Sequence, residues 1–399
     1  MKKVSYWILM IMLMLTMGFL GSSNAEEHDI RIHTFAVPTM NNVNVRREPA
    51  GSIRGTIDKN ETVYIMDTTV KRGKTWCRVI LFRDGWYQAY IQADYLIPLH
   101  DLASDVIKVD GGAAHALLLR EDGSCLSFGW GFQSALKATK WEDVKDIAVA
   151  RYYNAALLKD GTILFSKTDI PFSTAEVLKW RNVERIFGAT FEVNVGGTVT
   201  GIDAYGNPIV TSSWETYMDK PLPDNWKKLR QFSYTATLYG ETTAAALTED
   251  GTLYVMLSDP LEYREPEAAA DLLRANGMRN VRQFAIGNMC LAVLTMDGRV
   301  YFYGRDEYDA KQCEDWTDIT MIDACEQYVI GLRTDRSVVM AGKMESSVIE
   351  GRYEDTTYVN FSEDGQLDSW TDMVYIDASG WFILGIHADG SPDMIGSYR

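Results

Sequence analysis

The sequence predicts an all-β protein in two parts, a small β-rich module followed by a ring of repeated sheets. Three observations carry this. The stretch "ALLKDGTILF" (156–165), two apolar runs around one Asp-Gly, recurs along the chain. A second block led by Trp or Met precedes most recurrences. Residues 36–98 fit neither block but are β-prone throughout.

Asp and Gly tolerate the positive φ that a tight turn needs, so each Asp-Gly between apolar runs predicts a hairpin. Leu119, Leu157, Leu247, Leu294 and Ile386 stand three residues before Asp122, Asp160, Asp250, Asp297 and Asp389. Two degenerate copies place Leu332 before Asp335-Arg336 and Ile202 before Tyr205-Gly206. The position before the aliphatic is often small: Ala156, Gly201, Ala246, Gly331, Gly385. Three residues after the anchor come Cys125, Ile163, Leu253, Val300 and Val338, a column that Pro208 and Pro392 interrupt. Upstream, "WEDVKDI" (141–147), "WRNVERI" (180–186), "WKKLRQF" (226–232), "MRNVRQF" (278–284), "WTDITMI" (316–322) and "WTDMVYI" (370–376) share one spacing, with "ASDVIKV" (103–109) a weak seventh.

The anchors lie 38 to 54 residues apart. Several strands per unit at that period mark a β-propeller, in which small sheets that cannot bury both faces alone stack in a ring. Residues 99–399 allow 43 residues for each of seven blades, enough for four short strands. The small residues of the second strand predict that this strand lies innermost, crowded at the axis. The unit "IDACEQYVIGLRTDRSVVMAGK" (322–343) and its sisters resemble the repeats of the regulator of chromosome condensation family. The resemblance covers about three quarters of the chain and implies a seven-bladed propeller. The family's namesake acts in nucleotide exchange on chromatin, while its secreted bacterial members include a β-lactamase inhibitor. For this chain the resemblance therefore implies protein binding.

Within 36–98, Asn44, Val45, Arg46 and Pro49, the step Gly55-Thr56-Ile57, Trp76 and the closing "AYIQADYL" (89–96) resemble a bacterial SH3 domain. Ala89 and Tyr90 stand where that family has Gly and Trp. Such modules often bind the bacterial cell wall. Ahead of it, Lys2-Lys3, the apolar run from Tyr6 to Leu20 and the small residues Ser23 and Ala25 predict a secretory signal peptide, 1–25. An uncleaved membrane anchor is the alternative.

Net charge is −16, and −18 once the signal lysines are removed. Nucleic acid calls for Lys and Arg, so such a chain is a poor partner for it. Residues 36–98 carry +3 and the propeller region −19. Arg46, Arg47, Arg54, Lys71, Arg72 and Lys74 are therefore candidate contacts to an anionic wall, with Trp86, Tyr87 and Tyr90 for stacking. A solvated surface and a small barrel core are the plain alternatives.

Nothing in the sequence assembles a catalytic or metal site. The five histidines share no ligand spacing, and the five cysteines form no C-x-x-C pattern and read as buried thiols. "SALK" (134–137) lacks the partner motifs of a serine acylase, and Gly129-x-Gly131 lacks the rest of a phosphate loop. "FSEDGQLDSW" (361–370) reads as an extra hairpin between blades. Trp130, Trp214, Tyr217, Tyr239, Tyr263 and Tyr308 fall between blades, and aromatics are favoured interface anchors, against ordinary packing under long loops.

The expectation is a secreted, non-enzymatic binding protein. It has an SH3-like domain (36–98) at the cell wall, a propeller (99–399) for a protein or glycan, and no cofactor or metal. The competing class is a propeller-type glycosidase or lyase, which needs titratable groups converging at the axis.

Overall fold

The computed structural model describes residues 30–396, apart from 33, 60, 83–85, 102–104, 113–114, 130–139, 151–152, 167–173, 189–198, 212–213, 215–217, 237–240, 260–262, 288, 326–327, 351–352, 361, 364 and 381. The signal segment, "SALK" and the Gly129-x-Gly131 loop lie wholly or partly outside the described residues.

The N-terminal part is one antiparallel sheet of β1 (Thr34–Pro38), β2 (Val43–Arg46), β3 (Ile53–Ile57), β4 (Val63–Lys71), β5 (Lys74–Phe82), β6 (Trp86–Gln92) and β7 (Leu96–Pro98), in the order β3-β2-β6-β5-β4-β1-β7. Side chains alternate between its faces with the period of two that a strand imposes. Ala36, Val45, Ile57, Ile65, Val79 and Ile91 fill one core within the module. The intervening residues Phe35, Tyr64, Met66 and Ile80 form a second core with Val109 and Leu118 of the first repeated sheet and Phe382 and Ile386 of the last. Phe35 meets Phe382 edge to face at 6.1 Å, and Arg31 bridges to Asp393 at 3.1 Å. The module is thus built onto the repeats through the second face of β1, β4 and β5.

Seven three-stranded antiparallel sheets follow. Their first strands are Val106–Gly111, Val144–Ala150, Val183–Gly188, Leu229–Ala236, Val281–Gly287, Ile319–Cys325 and Met373–Ala378. Each aligned hairpin forms the second and third strands of one sheet. The aligned aliphatics are core residues, with Leu157, Leu247 and Leu294 at 0% exposure and Leu332 at 5%. The first strand of each sheet packs against a neighbouring sheet, and that of the seventh packs on the first. This is the many-sheeted, all-β architecture of a β-propeller.

Three expectations are corrected. Each described sheet has three strands where the length allowed four. The extra hairpin lies at Met344–Glu350 and Tyr353–Val359, while Gln366–Ser369 of the acidic segment is a short 3₁₀ turn. The strand nearest the axis is the first of each unit, because first-strand residues of all seven sheets line the central cavity. The small column has another cause, which in three units is the Trp that opens the block. A Cβ on Gly331 would lie 2.8 Å from the Trp316 ring, one on Gly385 3.0 Å from Trp370, and one on Gly201 3.2 Å from Trp180. The unit that opens with Met278 has Val293 in this position.

The repeated turn also joins neighbouring sheets. Its Asp caps its own loop, as when Asp122 accepts from the Ser124 amide at 2.8 Å. Its next residue then accepts from the first amide of the following sheet: Val144 N to Gly123 O, Leu229 N to Gly206 O, Val281 N to Gly251 O, Ile319 N to Gly298 O and Met373 N to Arg336 O. The same bond runs from Val106 N to Gly390 O at 3.2 Å, joining the last sheet to the first. Gly206 shows how tight this contact is. Its φ is +79°, and a Cβ there would sit 2.6 Å from the Lys228 Cα. Left-handed strain costs ~1–2 kcal/mol and crowding ~1–3 more. Gly206→Ala is therefore expected to destabilise by about 2–5 kcal/mol, measured by denaturant unfolding.

The five cysteines are buried thiols. Burial pushes the thiols of Cys77 and Cys125 up to about 12.

Candidate functional site

The inner strands surround a cavity of about 390 Å³ on the axis. All seven carry a register shift at the same place, between Val144 and Asp146 in the second sheet and at the matching positions elsewhere. A bulge re-aims the side chains beside it. Here it leaves one residue per sheet outside the ladder: Ile107, Lys145, Glu184, Arg230, Arg282, Thr320 and Val374.

Side chains at or beyond the bulge on these strands form a polar belt. Lys108 Nζ donates to Ile147 O at 2.8 Å and to Asp146 Oδ1 at 2.6 Å. Asp146 Oδ2 accepts from Ile186 N at 3.2 Å. Arg185 Nη1 donates to Arg230 O at 2.7 Å, and Arg230 Nη2 to Val281 O at 2.7 Å. Gln231 and Gln283 each give and accept one bond with the backbone of the next sheet, at Phe284 and Ile322. Asp323 Oδ2 accepts from Ala378 N at 2.7 Å, and Asp377 Oδ2 from Gly111 N at 2.7 Å. All seven junctions are thereby bridged. A bulge frees inner-strand amides and carbonyls from the ladder, and these side chains satisfy some of the buried groups, which is the general requirement on buried backbone.

The acidic side of the belt is crowded. Burial, opposed in part by Lys108, raises Asp110 to about 7. Burial raises Asp323 to about 6. Burial, followed by the charges of Asp323 and Asp110, pushes Asp377 well above the usual carboxylate range. Neighbouring buried carboxyls favour a shared proton over two full charges. The titratable groups converge here, contrary to the small, aliphatic axis expected.

The opposite wall is basic. Arg185, Arg230 and Arg282 come from three successive sheets. Burial, followed by the charges of Arg185 and Arg282, lowers Arg230. Lys145 pairs with Glu184 at 2.8 Å just outside.

Of the residues expected to meet an anionic wall, most are occupied within the module. Arg46 donates to Gly51 O at 2.6 Å and lies 5.7 Å from the Trp76 ring. Arg54 donates to Gln88 O at 3.0 Å, Lys71 pairs with Glu48 at 3.7 Å and Lys74 with Asp94 at 2.7 Å. Arg47 and Arg72 have no partner among the described residues. Tyr90 is half-buried in β6 opposite Arg46 and Arg78, and the side chains of Trp86 and Tyr87 lie outside the described residues. Of the candidate propeller anchors, Trp214 and Tyr263 are core residues and not surface contacts. Trp214 is 1% exposed among Trp226, Phe232 and Tyr234. Tyr263 donates to Thr242 O at 2.6 Å and packs beside the helix Pro266–Arg274. Both fill space under connecting segments. Tyr308 is half-buried. Trp130, Tyr217 and Tyr239 lie outside the described residues.

The belt was missed from the sequence, although a signal exists. A polar residue flanks the inner-strand aliphatic in every block, as in "KDI", "ERI", "RQF", "MID" and "YID". Only the axial position of that strand gives those residues meaning.

No protein-family model and no curated protein matches the chain. Solved structures similar to it include the CRINKLY WD40 ectodomain of the Arabidopsis thaliana receptor kinase ACR4. That structure is 12% identical, with 74% of this chain and 96% of that one covered and a TM-score of 0.48. Yeast RCC1 (Prp20), bound to Kap60, is 14% identical over 73% of this chain and 70% of that one, with a TM-score of 0.36. BamB from Moraxella catarrhalis is 11% identical over 83% and 99%, with a TM-score of 0.31. At such identities and scores, function must be read from the channel itself.

Proposed function

We propose that this is a non-enzymatic binding protein. Its seven sheets form the blades of one closed propeller, and a protein or glycan partner docks where the axial channel opens. The observation that carries this is the ring of bulge residues. Ile107 and Val374 occupy the same register on adjacent inner strands, are 49% and 47% exposed, and no sheet contact requires them to be apolar. The rest of the ring carries Thr320, two arginines and the Lys145–Glu184 pair, so an apolar patch sits beside polar and charged groups, a mix that interfaces use. Asp323 and Asp377 are engaged in the belt through Ala378 N and Gly111 N, which favours binding over hydrolysis.

In this reading the N-terminal module is an SH3-like domain that brings an exported protein to a bacterial wall. Its basic residues supply part of that attraction, chiefly through Arg47 and Arg72. N-terminal sequencing of the mature protein tests export, with Glu26 as the expected first residue. The docking face is tested on the full chain. Cross-linking in the native surface fraction should capture a partner with wild type and lose it with Ile107→Asp combined with Val374→Asp. Capture of the same partners by both would sink the assignment, and sugar release from wall glycan by the purified protein would restore the enzyme reading.

A further inference from the structure

We propose that Arg185, Arg230 and Arg282 form a binding site for a small oxyanion of two or more negative charges, such as a phosphate ester or a polycarboxylate, within the axial channel. This goes beyond a docked partner at the rim, because it places a small ligand inside the cavity.

The argument starts from charge. The chain as a whole carries −16. The described residues lining the cavity nevertheless include four cations, Lys108 and the three arginines, against three carboxyls, Asp110, Asp323 and Asp377. Burial raises all three above the ordinary carboxylate range, so the acidic side carries less than its formal charge. Lys108 is neutralised by Asp146 at 2.6 Å. None of the three arginines forms an ion pair among the described residues, although acids outnumber bases in the sequence by 55 to 39. Three guanidiniums on successive sheets repel one another, and a bound anion is the simplest source of compensation.

Hydrogen-bond capacity points the same way. A guanidinium has five N–H donors in a rigid fork suited to carboxylate and phosphate. Arg185 spends one donor on Arg230 O and lies 5.4 Å from the Phe187 ring, and Arg230 spends one on Val281 O. Arg282 makes a single long contact of 3.5 Å to Met296 O. The Arg230 Nε is buried and has no partner. The backbone bonds hold the arms of Arg185 and Arg230 in place, so their remaining donors are pre-positioned. The cavity of about 390 Å³ falls in the range of small-molecule sites. The carboxyl wall opposite limits the anion's extent and favours a ligand whose far end offers hydrogen-bond donors.

The test is titration calorimetry on the full chain with pyrophosphate and, separately, citrate. Saturable one-to-one binding of at least one probe is expected, and which probe binds more tightly decides between phosphoryl and carboxylate sources. Arg282→Gln, which breaks no belt bond, should weaken it at least 10-fold without shifting the unfolding temperature. Arg230→Gln should weaken binding as much, with some loss of stability because it also removes the bond to Val281 O, and Arg72→Gln on the N-terminal module should leave binding unchanged. Absence of binding by wild type at millimolar probe would overturn the proposal, as would equal affinity in Arg282→Gln. Ile107→Asp with Val374→Asp should retain anion binding, so the rim and the channel succeed or fail separately.

Discussion

Trp370→Ala should be among the most damaging single substitutions in this protein, at about 3–5 kcal/mol, the usual range for deleting a buried Trp. Trp370 is 1% exposed and packs with Met373, Ile376 and Leu367. Its ring lies over Gly385, so no side chain from that strand can fill the hole. The same pairing permits a sharper experiment in the neighbouring sheet. There Trp316 covers Gly331, whereas the fifth sheet uses Met278 and Val293 in the matching positions. Gly331→Val alone is expected to cost ~1–3 kcal/mol by overpacking. Combined with Trp316→Met, it should cost less than the sum of the two singles by at least ~0.5 kcal/mol, the coupling expected of residues in contact. Chemical denaturation of the four proteins measures it. Strict additivity would mean that the ring and the small residue do not constrain each other.

The second large effect is a stability maximum displaced toward acid. Burial raises Asp110 to about 7 and Asp323 to about 6, and Asp377 rises further. The folded protein therefore holds protons that the unfolded chain releases near 3.8. Stability must fall as pH rises from about 4 through about 7, by up to ~1.4 kcal/mol per proton for each pH unit. The turn aspartates act oppositely. Hydrogen bonds within the turns hold Asp122, Asp160, Asp250, Asp297, Asp335 and Asp389 below 3.8. Their contribution is present above that value and is lost as pH falls through their folded pKa. The melting temperature should accordingly peak near about pH 4–5. Asp377→Asn, which keeps an acceptor for Gly111 N and removes a charge, should flatten the decline above the peak. A melting temperature that climbs steadily from pH 5 to pH 7.5 would show that the channel carboxyls are ordinary.

The sequence by itself determined the repeat. Asp-Gly turns, the aliphatic column and the Trp-led block are local signals, and each maps onto one sheet because turn chemistry and period-two burial act over a few residues. It also placed the module before the repeats. Only the tertiary structure decided which strand faces the axis. Both the first and the second strand of each unit are apolar, and which one lies innermost depends on how sheets pack against each other. That choice turned Asp323, Asp377 and Arg230 from ordinary strand residues into channel groups, and turned Gly331 and Gly385 from supposed axial residues into seats for a Trp ring. It likewise decided that Phe35, Tyr64 and Ile80 cover the first and last sheets. Alternation in β1, β4 and β5 is legible as two apolar faces, but what covers the second face depends on residues some 300 positions away.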